Sequence, residues 1–145
     1  MSQRMQSAVA TGDGPLLLVV ADDLTHRSIV GRMVRALGFR HRSCAGSTVA
    51  LQYLREHPRQ VRLLLADLAL SRMDGGELAE RARDLDPRLQ VVLMVGATDP
   101  HVDALIAGYG DVPFITKPVS FSSLASVVLE LAKFDQPLRH EATRA

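Results

Sequence analysis

Apolar positions along the chain follow two rhythms. Residues 16–20 (Leu-Leu-Leu-Val-Val) form an unbroken apolar run, the pattern of a strand covered on both faces, which stops at Asp22-Asp23. Ile29, Val30, Met33, Val34 and Leu37 then recur at helical spacing, and Gly38 closes that helix. Residues 40–44 read as a weak strand whose basic side chains suit a sheet edge. Ser47 is predicted to cap a second helix carrying Val49, Ala50, Tyr53 and Leu54, which Pro58 ends. The strand pattern returns at 61–66 and ends at Asp67. Asp74-Gly75-Gly76-Glu77 reads as a capping box, with Glu77 able to reach back to the cap, opening a helix through Leu78, Ala82 and Leu85. Residues 91–95 give a third strong strand, 100–107 a short helix, and 112–115 a short strand ending at Thr116-Lys117-Pro118. Ser120 caps a last helix bearing Phe121, Leu124, Val128 and Leu131.

Strand and helix alternate five times, which predicts an α/β fold: a doubly wound, parallel five-stranded sheet, (βα)5, with helices on both faces. In such sheets ligands bind beyond the carboxyl ends of the strands, at the switch point of the strand order. The residues to read for function are therefore Ala21, Asp22 and Asp23, then Asp67, then Gly96 and Ala97, then Lys117.

Composition narrows the picture. A chain of 145 residues, 47% apolar and 23% charged, suits one globular domain. The domain is predicted over 14–133, between a loose leader (1–13) and a tail (134–145) whose pattern is lost. Seventeen basic against sixteen acidic residues leave +1, so no global field calls for a nucleic acid or an anionic membrane. No apolar run is long enough for a membrane span, and the first residues lack the apolar core of a signal peptide, so a cytoplasmic location is expected. The single cysteine, Cys44, excludes an internal disulfide and any Cys-rich metal site, and reads as a small buried hydrophobe. The five histidines (His26, His41, His57, His101, His140) show no ligand spacing and read as solvated surface. Arg81 and Arg83 beside Asp84 and Asp86 read as a solvated helix face, and no aromatic-basic stripe supports nucleic-acid binding.

The rim carries the chemistry. Crowded carboxylates need neutralising, and a hard divalent cation with oxygen ligands is the usual solution; Mg²⁺ accepts one or two carboxylates and keeps several waters. Lys117, one of only two lysines in the chain, is a compact charge suited to a phosphate oxygen. Metal, carboxylate and lysine together describe phosphoryl transfer with a carboxylate as nucleophile. Taken singly, each residue has a plainer reading: Asp22 or Asp23 as a helix cap, Asp67 as a turn residue, Lys117 as a loop charge. Their joint occurrence favours the site.

Three stretches in order, Val19-Val20-Ala21-Asp22-Asp23, Leu64-Leu65-Ala66-Asp67 with Met73-Asp74-Gly75, and Phe114-Ile115-Thr116-Lys117-Pro118, resemble the receiver domain of bacterial two-component response regulators, over about residues 15–133. The resemblance implies a flavodoxin-like strand order, 2-1-3-4-5. It implies that Asp67 accepts a phosphoryl group from a histidine kinase, and that Mg²⁺ is held by Asp22, Asp67 and the backbone carbonyl of Ala69, with Asp23 a further acid nearby. Lys117 and the amide of Ala97 would bind the phosphoryl group, Pro118 would be cis, and Phe114 holds the aromatic switch position. The implied partners are a sensor histidine kinase or phosphotransfer protein and a downstream protein target. The target, or a second copy in a homodimer, would use the face of the fourth helix, last strand and last helix. Such a domain is no enzyme beyond self-phosphotransfer and slow autodephosphorylation.

Three departures bear on these expectations. Ala21 stands where the pattern has its first acid, which predicts weaker Mg²⁺ binding. Gly96 stands in place of the Ser or Thr whose hydroxyl would bind a phosphoryl oxygen; one lost hydrogen bond to a charged group costs about 1.5–3 kcal/mol. Ser71 replaces the proline usual four residues after the acceptor.

The leading reading is a stand-alone, phosphorylatable receiver that signals by protein contact. The alternative is a degenerate receiver that acts as a phosphorylation-independent interaction module, for which Ala21 and Gly96 argue. An aspartate-nucleophile phosphohydrolase would need a second Asp two residues after the first, where Ala69 stands. A nucleotide or flavin binder would need a phosphate-cradling loop after the first strand, where Asp22 and Asp23 would repel the phosphate.

Overall fold

Successive strand residues point to opposite faces, so an unbroken apolar strand must be covered on both. The computed structural model describes residues 14–96, 99, 103, 107–108 and 111–131, and it meets that demand. β1 (Leu16–Val20) is buried at every position. Leu16, Leu18 and Val20 face a core with α2 (Ser47–Glu56) and α3 (Gly75–Leu85), whereas Leu17 and Val19 face a second core with α1 (Leu24–Ala36) and a helix over 121–131. β3 (Val61–Asp67) and β4 (Gln90–Val95) divide their residues in the same way.

With β2 (Arg40–Cys44) and β5 (Phe114–Thr116), these strands form one sheet in the order β2-β1-β3-β4-β5, every pairing parallel. This is the flavodoxin-like order expected. β2 takes an edge, as its polar sequence predicts, and Arg42 lies over the Tyr53 ring at 5.2 Å. The register aligns the strand ends. Val20 pairs with Ala66, Asp67 with Met94, and Val95 with Thr116, so Asp22, Asp67, Gly96 and Lys117 leave the sheet along one edge.

The caps and element boundaries follow local chemistry with three corrections. Asp23 caps α1 by accepting from the His26 amide, Asp74 caps α3 by accepting from the Glu77 amide, and Gly38 ends the first helical segment at φ +98°. Ser120 accepts from the Ser123 amide at 3.1 Å, as expected of a cap. Ser47, however, is not the cap of α2: Gly46 is, with no side-chain bond, and Ser47 is already helical and buried. The reciprocal half of the capping box is also absent, because Glu77 turns its carboxylate to Arg81, 2.9 Å away one turn later. The last strand begins at Phe114 rather than at 112, since Pro113 has no N–H to donate; its carbonyl still accepts from Leu93. The helix expected at 100–107 lies mostly outside the described residues, with 103 and 107 helical; the leader and tail lie outside them entirely.

One glycine fixes how closely α3 approaches the sheet. The Gly75 amide donates to the Leu68 carbonyl at 2.7 Å, and a Cβ on Gly75 would sit 2.3 Å from the backbone oxygen of Asp67. That oxygen belongs to the sheet and cannot yield as a flexible side chain would. Gly75→Ala is therefore expected to lower stability by about 1–3 kcal/mol, the usual range for overpacking, read as a reduced midpoint in denaturant unfolding.

Candidate functional site

Asp67 ends β3 with only 4% exposure, and an ionised carboxylate so placed needs compensating donors. Two reach the same oxygen. Lys117 Nζ lies 3.2 Å from Asp67 Oδ1, and His26 Nε2 lies 3.1 Å from it. Lys117 is delivered by β5: its amide donates to the Val95 carbonyl at 2.8 Å, and the Lys117–Pro118 bond is cis as expected. His26 sits in the first turn of α1, its amide held at 2.7 Å by the Asp23 cap. Burial pushes the Asp67 carboxyl above the ordinary carboxylate range; Lys117, then His26, draws it back only in part.

The other rim acids have distinct duties. Asp23 is committed to capping α1. Asp22 is exposed, and its Oδ2 accepts from both the amide (3.0 Å) and the hydroxyl (2.7 Å) of Ser71. A proline at 71 would supply neither donor. Arg27 secures the exit of β1 by donating to the Ala21 carbonyl at 2.8 Å. Ala69 is exposed in the loop after Asp67. At Gly96 the amide donates to Asp99 Oδ2 at 2.8 Å, and a Cβ there would stand 3.3 Å from Asp99 Oδ1. Asp99 thus occupies the space that a side chain at 96 would claim. Phe114 is 41% exposed on β5, and Ala97 lies outside the described residues.

His26 and Asp99 escape a reading of the sequence as site residues, and Ser71, visible there only as a replaced proline, gains its contact with Asp22 from the fold. The solvated-surface reading of the histidines fails for His26, which contacts Asp67 across 41 residues of chain. It fails also for His41, half-buried against Gly31, and for His57, stacked on Tyr53 with ring centroids 3.9 Å apart. His101 and His140 lie outside the described residues. Cys44 is buried, as expected, and burial pushes its thiol up.

The donors suit a hard cation. Among the described residues no three His, Cys, Asp or Glu side chains gather as a ready-made metal cluster. The carboxylates of Asp22 and Asp67 and the carbonyl of Ala69 are oxygen donors of the kind that Mg²⁺ takes from a protein while keeping several waters. Among the described residues no helix is long and apolar enough to cross a membrane.

Fold and rim together define a doubly wound α/β domain with a carboxylate–lysine site at its switch point. A family profile for the response regulator receiver domain matches residues 17–129, and the chain belongs to that family of two-component signalling domains. The transcriptional regulatory protein ZraR of Klebsiella oxytoca is 30% identical over 122 residues, covering 83% of this chain and 27% of that protein. The two-component response regulator ORR21 of Oryza sativa subsp. indica is 30% identical over 132 residues, covering 88% of this chain and 19% of that protein. The chain thus spans about a quarter or less of the length of these relatives. Among solved structures, a response regulator receiver domain protein from Clostridium thermocellum superposes with a TM-score of 0.78 at 17% identity, covering 86% of this chain and 98% of that one. A two-component transcriptional regulator from Clostridium phytofermentans gives 0.71 at 26%, covering 89% and 98%.

The raised Asp67 pKa has a stability consequence. A carboxyl whose folded-state pKa exceeds its unfolded value costs stability as pH rises from the unfolded value through the folded one, and costs nothing below both. Without divalent ions, Asp67→Asn is expected to raise the melting temperature at pH 7. The difference should vanish in acid below the ordinary carboxylate range, as thermal melts across pH would show.

Proposed function

We propose that this receiver accepts a phosphoryl group on Asp67 from the phosphohistidine of a sensor kinase or phosphotransfer protein, with Mg²⁺, and passes the signal on by protein contact. The observation that carries the reading is the Lys117–Asp67 pair, 3.2 Å apart where β3 and β5 reach the same edge of the sheet. In the transfer an Asp67 oxygen bonds to phosphorus while the phosphorus–nitrogen bond breaks, its electron pair returning to the donor imidazole. Lys117 first holds the carboxylate in place and then follows the negative charge onto a phosphoryl oxygen. Asp22, Asp67 and the Ala69 carbonyl would hold Mg²⁺, which supplies positive charge to the phosphoryl oxygens and relieves the crowding of the acids. The Ser71 donors keep Asp22 oriented for that role although position 21 carries no acid. The amide of Ala97 would add a contact to the phosphoryl group.

Phe114 on β5 is the residue we assign to relay the change, toward a face that would include the 121–131 helix. Phe121 and Leu129 are exposed on that helix, at 45% each, and offer apolar surface to a downstream protein or a second copy of this chain. A kinase-driven signal of this kind fits a cytoplasmic location.

Intact-mass analysis after incubation with acetyl phosphate and Mg²⁺ should show one added phosphoryl group in the parent and none in Asp67→Asn. No gain in the parent at generous Mg²⁺ would overturn the reading. Gly96→Thr is expected to strengthen the link between phosphorylation and Phe114, since the hydroxyl returns a phosphoryl contact once the flexible Asp99 carboxylate gives way. Side-chain NMR of Phe114 should then shift more on phosphorylation than in the parent, and an unchanged response would remove Gly96 as the weak point.

A further inference from the structure

Lys117 has a part in the transfer described above; His26 has none. Yet its Nε2 stands 3.1 Å from Asp67 Oδ1, as near as Lys117, and its imidazole is only 21% exposed. The backbone that carries the ring is anchored: the His26 amide is bound to the Asp23 cap, and the adjacent Arg27 side chain is tied to the Ala21 carbonyl. An ionised carboxylate can only accept hydrogen bonds, so the contact requires Nε2 to carry a proton, which the neutral ring supplies in one tautomer.

With both donors on Oδ1, Oδ2 is the oxygen left to attack phosphorus, and Oδ1, the Asp67 oxygen that would also face Mg²⁺, becomes the carbonyl oxygen of the acyl phosphate. Once Lys117 follows the phosphoryl group, His26 is the side-chain donor that stays on Oδ1. In hydrolysis a water oxygen bonds to phosphorus, the Oδ2–phosphorus bond breaks, and its electron pair goes to the carboxylate. The water proton leaves with the inorganic phosphate or to solvent. The departing negative charge spreads onto Oδ1, where a hydrogen bond to a charged oxygen is stronger than one to the neutral carbonyl it replaces. A donor fixed there stabilises the transition state more than the acyl phosphate.

We propose that His26, donating through Nε2 to Oδ1 of Asp67, shortens the lifetime of the aspartyl phosphate. The inference rests on Asp67 being the phosphoacceptor. The test follows decay of the phosphorylated species by intact mass, after loading the full chain with acetyl phosphate and Mg²⁺ and removing the donor. The lifetime in His26→Leu should lengthen about fivefold to tenfold, the scale of one hydrogen bond's preference for a charged acceptor. His26→Gln, whose amide also donates, should stay near the parent. Equal lifetimes in His26→Leu and the parent overturn the proposal, as does a His26→Gln lifetime as long as that of His26→Leu. A second readout needs neither variant: ¹⁵N NMR of the parent imidazole should show the proton of neutral His26 on Nε2, and a proton on Nδ1 alone would overturn the contact. If the parent gains no phosphoryl group, the assignment of Asp67 as acceptor fails and the proposal falls with it; if it is loaded and the lifetimes are equal, only the role of His26 falls.

Discussion

Holding an ionised carboxylate out of water costs several kcal/mol unless donors reach it, and Asp67 is held at the end of a strand that is otherwise apolar. Much of the rim answers to that demand. One donor arrives from the first turn of α1 and another from the residue after β5, elements separated by most of the chain. They converge because a parallel sheet ends all its strands at the same edge. Neither donor cancels the cost of burial, so the carboxyl pKa stays raised.

The architecture was open to a reading of the sequence wherever burial is two-sided. The runs that became β1, β3 and β4 have no polar break because both their faces are covered, and a five-fold alternation with helical spacing leaves few other folds. Boundaries that depend on individual hydrogen bonds were less legible. Ser47 has the chemistry of a cap, but the backbone is already helical there; Glu77 has two possible partners, and Arg81 takes it. Both outcomes are set by which neighbour lies nearer in three dimensions.

The site divides in the same way. Asp22, Asp67 and Lys117 follow strand ends, so the topology rule that finds the edge finds them. His26 and Ser71 make contacts across 41 and 49 residues of chain, and nothing in their spacing announces it. Ser71 shows how a departure from the family pattern acquires a role: lacking a ring on its nitrogen, it keeps an N–H, and that N–H with its hydroxyl orients Asp22. Ala21 and Gly96 remain simple losses of a side chain, although at Gly96 the carboxylate of Asp99 has taken the space and the backbone amide.

The open edge of the sheet has a colloidal consequence. Among the described residues β2 pairs only with β1, and its outer side is where a strand from another molecule would add. Its sequence begins Arg-His-Arg, and Arg42 is drawn over the Tyr53 ring rather than left to extend freely. An incoming strand would have to bury guanidinium charge beside its own backbone, which protects this edge against amyloid-like stacking.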